Sequence, residues 1–209
     1  MCAEFEQHIP ALRGWTEVLA QWPQDGGEEP IPQRHYPRDT VLTLDSEGPR
    51  ARNWSLVPSW AEQARLSYAT FNARAETLRD KPVFRQAWSR GQRCLVPVTR
   101  YYEWGVVDGH KRKHRITPAD GKPLALAGLW DVWTGEDAEL HSCTVVTIAA
   151  SPAMARWHAR MPLMLGAGQA QRWLDGALAE AETLLSIQPE PAVEVETEPR
   201  PPSPQMSLI

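Results

Sequence analysis

Between residues 93 and 116, three strand-like runs follow one another with almost no connecting chain: 93–98 (RCLVPV), 100–107 (RYYEWGVV) and 111–116 (KRKHRI). Asp108-Gly109 joins the last two and is a type I′ hairpin signal, so these runs should pair antiparallel. A parallel pair would need a crossover of roughly a dozen residues or more, for which there is no room here. The pattern continues on both sides. Residues 40–44 (TVLTL) and 52–57 (RNWSLV) read as strands flanking the turn Ser46-Glu47-Gly48-Pro49, and the apolar runs 124–133 and 142–149 suit buried strands. Helical signals lie outside the strand-rich centre. They are residues 11–22 (ALRGWTEVLAQW), a start at Pro82, Pro152–Trp157, and one or two helices within 169–187. The expectation is a single α+β domain with a mostly antiparallel, barrel-like β core and peripheral helices, without parallel crossovers.

A chain of 209 residues can bury one substantial core, and the domain is expected over residues 2–187. Beyond it the composition turns to Pro, Glu and Val, which reads as a disordered acidic tail over 188–209. No run approaches the roughly 18 apolar residues of a membrane span, and the start MCAEFEQHIP lacks the regions of a signal peptide. A cytoplasmic, nucleoid-associated monomer is the expectation. Three cysteines without a CxxC pair argue against zinc, and no metal or cofactor is expected. Cys94 and Cys143 sit in apolar runs and should pack in the core.

Charge is unevenly distributed. Residues 51–115 hold ten Arg and three Lys against five carboxylates, a net +8 in a protein whose total is −4. A basic segment of this kind fits an anionic partner, or simply a solvated basic face. Trp54, Trp60, Trp88 and Trp104 lie among these cations, and aromatic rings beside cations suit unstacked bases and phosphates. Trp60 follows Pro58-Ser59 and should present its indole at a loop.

Four residues could carry chemistry. Cys2, freed of Met1, would hold an α-amine and a thiol on one residue, a 1,2-aminothiol able to condense with an aldehyde and close to a thiazolidine. Glu103, within Tyr101-Tyr102-Glu103-Trp104, is either a buried carboxylate suited to acid–base work or an exposed strand residue paired to an Arg. His158 could shuttle a proton near neutral pH or be structural. Asn72, at a strand end, suits a turn or the positioning of a substrate oxygen.

Six segments, taken together, resemble a known family. They are Cys2, Trp54-x-x-Val57-Pro58-Ser59-Trp60, Phe71-Asn72-Ala73-Arg74-x-Glu76-Thr77, Pro82-x-Phe84-Arg85, Tyr102-Glu103-Trp104 and His158-x-Arg160-Met161-Pro162. The chain is similar to the SRAP family, the SOS-response-associated peptidase-like proteins, over residues 2 to about 175. The resemblance implies a shield for abasic sites in single-stranded DNA. Cys2 would crosslink to the ring-opened deoxyribose, Glu103 would act as acid–base and hold the amine, and His158 would protonate the ring oxygen on opening. Asn72 would orient the amine or a sugar hydroxyl, while Arg74, Trp60, Arg85 and Arg160 would contact DNA. Lyase-like and autopeptidase activities are also implied. The competing readings are a Cys2-dependent peptidase or hydrolase and a noncovalent DNA adaptor. Two stretches depart from the family: Ala3 and Glu4 stand where Gly and Arg are usual, and the Tyr-Asn-x-x-Pro stretch often present in the family is reduced to Tyr36-Pro37, which puts its implied DNA contacts in question. At the far end, Gln205-Met206-Ser207-Leu208-Ile209 resembles the short peptide that docks on the bacterial sliding clamp, a second expected partner.

Overall fold

In the computed structural model, residues 2–8, 34–136, 138–190 and 192–199 are described. The first half contains β1 (Phe5–Glu6), β2 (Arg34–His35), β3 (Thr40–Asp45), β4 (Gly48–Trp54), β5 (Asn72–Arg74), α1 (Pro82–Ser89) and β6 (Arg93–Val98). The second contains β7 (Arg100–Val107), β8 (His110–Pro118), β9 (Leu124–Thr134), β10 (Glu139–Ala149), α2 (Pro152–Ala155), β11 (Arg160–Pro162) and β12 (Met164–Leu165). It ends with α3 (Ala167–Asp175), α4 (Leu178–Leu185) and β13 (Val193–Thr197). The proposed helix over 11–22 and the peptide Gln205–Ile209 lie outside the described residues.

Two sheets carry the fold. One runs β13-β8-β7-β1-β2, antiparallel throughout, and Asp108 and Gly109 close its β7–β8 hairpin with φ of 50° and 74°, as a type I′ turn requires. The other closes on itself: β10-β4-β3-β6-β9 is completed by a β9–β10 ladder from Glu139↔Thr134 to Val145↔Gly128. This ring is the barrel-like core expected from the sequence.

The expected absence of parallel pairing is not met. β10 runs parallel to β4 at Ser142↔Asn53 and Cys143↔Trp54, then parallel to β5 from Val145↔Asn72 to Thr147↔Arg74. The reason is parity. Strand direction cannot alternate around a closed ring of five, so at least one neighbouring pair must be parallel, and here it is β10–β4. The crossover that permits it is the long stretch from Trp54 to Glu139, which contains β5, α1 and β6 to β9.

The tail also needs correction. Residues 193–197 are not disordered but form β13, paired with β8 from Val193↔Pro118 to Thr197↔His114. Val193-Glu194-Val195 alternates apolar and acidic residues, so the valines pack on the core while the carboxylates stay exposed.

Trp54, Trp173, Phe5, Tyr101, Leu95 and Leu129 are among the fully buried side chains. Trp173 ties α3 to the ring by donating its indole N–H to the carbonyls of Cys94 (3.0 Å) and Gly128 (3.2 Å). Within the ring, Arg52 is buried against Asp45 and Thr43, and its guanidinium lies 4.8 Å from the Trp130 ring centre. Cys94 and Cys143 are fully buried core residues, as expected.

Candidate active site

The short strand β1 brings Cys2 into the molecule. Phe5 pairs with Tyr101, and Tyr102 N–H donates to the Glu4 carbonyl at 2.9 Å, so the chain start is laced along β7. Cys2 is fully buried there, its thiol 3.8 Å from the Glu4 carbonyl oxygen. Asn72 reaches the same residue from the opposite sheet, donating Nδ2–H to the Cys2 carbonyl at 2.6 Å. Asn72 is held by its parallel pairing with Val145 and by the Trp54 indole, which donates to the neighbouring Phe71 carbonyl at 2.9 Å.

Glu103 occupies the same face of β7 as Tyr101, two residues away. It is buried, which settles its two alternatives in favour of the enclosed carboxylate. His158 Nε2 lies 4.0 Å from Glu103 Oε2. The backbone of Arg160 serves the other ring nitrogen in either protonation state. Its N–H, at 3.0 Å, can donate to a neutral Nδ1, and its carbonyl, at 2.9 Å, can accept from a protonated one.

Burial dominates the electrostatics. It raises the Glu103 carboxyl above its usual range, while the positive amino terminus and His158 pull the other way. Burial also pushes the Cys2 thiol far up, with the Glu103 charge adding to the shift. At neutral pH the thiol is therefore protonated in this arrangement.

His158 depends on an unusually close approach. The Trp157 carbonyl and the His114 ring lie over Gly105 of β7, where an added Cβ would fall 2.2 Å from Trp157 O and 2.9 Å from His114 Nε2. The absence of a side chain at Gly105 is what lets the 157–159 segment reach Glu103.

The four expected catalytic residues thus come together, Cys2 with Asn72 and Glu103 with His158. The expected DNA-binding residues are more dispersed. Arg74 is exposed on β5. Trp60 is 51 % exposed and shares a shallow depression with Arg85, Pro82, Gln86 and Ser89. Arg160 is committed to protein: its guanidinium makes a two-pronged contact with Glu76 at 3.0 and 2.9 Å and donates to Thr147 O at 2.7 Å. Glu4 is enclosed by Lys113 (2.5 Å), Arg34 (3.2 Å) and the Tyr36 hydroxyl (3.4 Å), which neutralise the charge at that position.

Two residues of the site were not anticipated from the sequence. Tyr101 is fully buried, its hydroxyl has no hydrogen-bond partner among the described residues, and Cys2 and Glu103 are its titratable neighbours. The signal was available, because residues two apart on a strand share a face. Gly105 was the other; nothing local to it announces a crossing segment from residue 157.

The profile of the SOS response associated peptidase (SRAP) family matches residues 1–201. The chain belongs to the SRAP family. An SRAP relative, the abasic site processing protein YoqW of Bacillus subtilis, is 34 % identical over 157 residues, covering 72 % of this chain and 70 % of its own. The abasic site processing protein HMCES of Xenopus tropicalis is 31 % identical over 163 residues, covering 66 % of this chain and 49 % of its own. A crystal structure from Bordetella bronchiseptica superposes with a TM-score of 0.82 at 24 % identity, covering 95 % of this chain and all of that one. That likeness shows a fold shared over nearly the whole chain.

Proposed function

We propose that this protein recognises abasic sites in single-stranded DNA and shields them by a covalent thiazolidine at Cys2. The observation that carries the reading is the enclosure of Cys2 by Asn72 with the buried Glu103 and the half-buried His158 beside it. Relatives named for abasic site processing support the substrate class.

The chemistry requires removal of Met1. An abasic deoxyribose exists largely as a closed hemiacetal, so His158 protonates the departing ring oxygen while the C1′ hydroxyl loses its proton to water, and the aldehyde at C1′ is released. The Cys2 amine attacks that carbon. Glu103, whose proton affinity burial has raised, takes the amine proton and returns it as water leaves, giving the imine. The thiol then adds across C=N: the S–C bond forms, and the sulfur proton ends on nitrogen. Aldehyde and aminothiol become thiazolidine and one water. The order follows from burial, since a protonated thiol leaves the amine as the first nucleophile. The same fact disfavours a hydrolase that needs a ready thiolate, and His158 lies against the carboxylate rather than serving as a thiol base.

In this reading Arg74, Trp60 and Arg85 supply phosphate and base contacts, while Arg160 acts by bracing β11 against Thr147 and Glu76. Gln205–Ile209 serves as a tethered docking peptide for the sliding clamp, and its deletion should abolish clamp binding.

Incubation with an oligonucleotide bearing one abasic site should give a denaturation-resistant adduct whose mass equals the sum of the two reactants less one water. Cys2→Ala should abolish it. So should one Ala inserted between Met1 and Cys2, which keeps the thiol but displaces the amine. A full yield of stable adduct from either variant refutes the mechanism.

A further inference from the structure

The turn before β3 holds Arg38 in a conformation that arginine rarely adopts. Asp39 N–H donates to Tyr36 O at 3.0 Å, Pro37 occupies the second position, and Arg38 follows at φ 82°, the geometry of a type II turn. Glycine or asparagine is usual at that third position, because a Cβ there is strained. Neighbours fix the backbone: Arg38 N–H donates to Trp54 O at 2.9 Å, and Asn53 Nδ2 donates to Arg38 O at 2.5 Å. Among the described residues, the other non-glycine at positive φ is Asp108, in a hairpin turn where Asp is ordinary. A strained backbone held this firmly points to a use for the side chain.

Arg38 lines a cavity of about 480 Å³, a volume suited to a small organic ligand. The other walls include Arg65, Ser55, Ser67, Phe71 and Tyr68, a residue 51 % exposed. Two guanidinium groups, a phenol ring open to stacking and two hydroxyl side chains form a combination that matches phosphate and base together. The cavity is also adjacent to the site. Phe71 immediately precedes Asn72, which holds the Cys2 carbonyl, and Tyr36, at the start of the strained turn, contacts Glu4.

We propose that this cavity is a subsite for a nucleotide flanking the abasic residue in single-stranded DNA, with phosphate on Arg38 and Arg65 and the base on Tyr68. The assignment rests on the function proposed above, and it adds a recognition element built from the 64–71 loop and the Arg38 turn.

The test uses full-length protein carrying Cys2→Ala, so that binding is read without crosslinking, and a fluorescent single strand containing a tetrahydrofuran abasic analogue. Arg38→Gly should keep or raise Tm, because glycine relieves the turn, yet weaken binding severalfold. It should also reduce the slope of log K against log salt by about 0.7, one single-strand phosphate contact. Tyr68→Ala should weaken binding about fivefold or more, the low end for a lost base stack. That loss should disappear when the bases on both sides of the analogue are also removed. Affinities within twofold of the parent for both variants overturn the subsite, as does a Tyr68→Ala loss that persists on the strand without flanking bases. Failure of the parental protein to bind the strand at all would instead overturn the broader reading.

Discussion

Gly105→Ala is a one-carbon change that should disable the chemistry from outside it. The new Cβ would lie 2.2 Å from the Trp157 carbonyl oxygen and 2.9 Å from His114 Nε2. Non-bonded heavy atoms settle at about 3.5 Å, so the carbonyl must retreat by more than about 1 Å. The obstacle is backbone, not the far end of a flexible side chain, and overpacking of this kind costs about 1–3 kcal/mol. The functional effect should be larger than the stability effect. Trp157 is joined directly to His158, whose Nε2 stands 4.0 Å from Glu103, and a displacement of about 1 Å at a reacting group can cost up to ~100-fold in rate. Urea denaturation should show the stability loss, and single-turnover crosslinking to an abasic oligonucleotide should slow at least tenfold. An oligonucleotide carrying an open-chain aldehyde, which needs no ring opening, should react with the variant at close to the parental rate. The reasoning is refuted if the variant crosslinks abasic DNA at the parental rate, or if the open-chain probe slows equally.

Two further predictions concern buried charge. Glu103 has a folded-state pKa raised by burial, so the folded state binds more protons than the unfolded state between the usual carboxylate value and the raised one, and stability falls as pH rises through that window. Glu103→Gln should therefore be more stable than the parent at neutral pH, with the gap closing as pH falls to about 4, the usual carboxylate value, while crosslinking drops sharply; a constant gap in a Tm series across pH would contradict this. Inside the ring, Arg52→Met alone should cost about 3–5 kcal/mol, because Asp45 is left buried without its partner. Adding Asp45→Asn should recover much of the loss in chemical denaturation, and simple additivity of the two changes would show the pair is not coupled.

How far the sequence reveals this protein depends on the range of each signal. Asp108-Gly109 specifies its own turn through local dihedral preference, and the β7–β8 hairpin followed from it. The parallel β10–β4 pairing joins residues almost ninety positions apart, Cys143 with Trp54, and arises from ring closure, which no local pattern encodes. β13 was legible but masked: the alternation in Val193–Thr197 is a strand signal, outweighed by the Pro and Glu around it. At the site, residue types and the family resemblance brought out Cys2, Asn72, Glu103 and His158. The pairing of Asn72 with the Cys2 carbonyl, and the burial that makes Glu103 a strong proton acceptor, depend on contacts across the two sheets. Arg160 shows the converse, a cation that looked available to phosphate and proved engaged by Glu76.

β10 pairs with β5 through Val145–Thr147 and with β11 through Thr147–Ala149, so Thr147 is shared by both registers. Asn72 and the strand that follows His158 are therefore measured from one ruler, and their separation is independent of the chain that connects them. Loop 55–71 can lengthen, shorten or change sequence within 61–69 while the catalytic spacing stays constant, whereas loop 150–159 carries Trp157 over Gly105 and His158 beside Glu103 and must keep both in place. Substrate preference can thus drift in the first loop without retuning the chemistry, which makes 61–69 the segment in which to graft new DNA contacts.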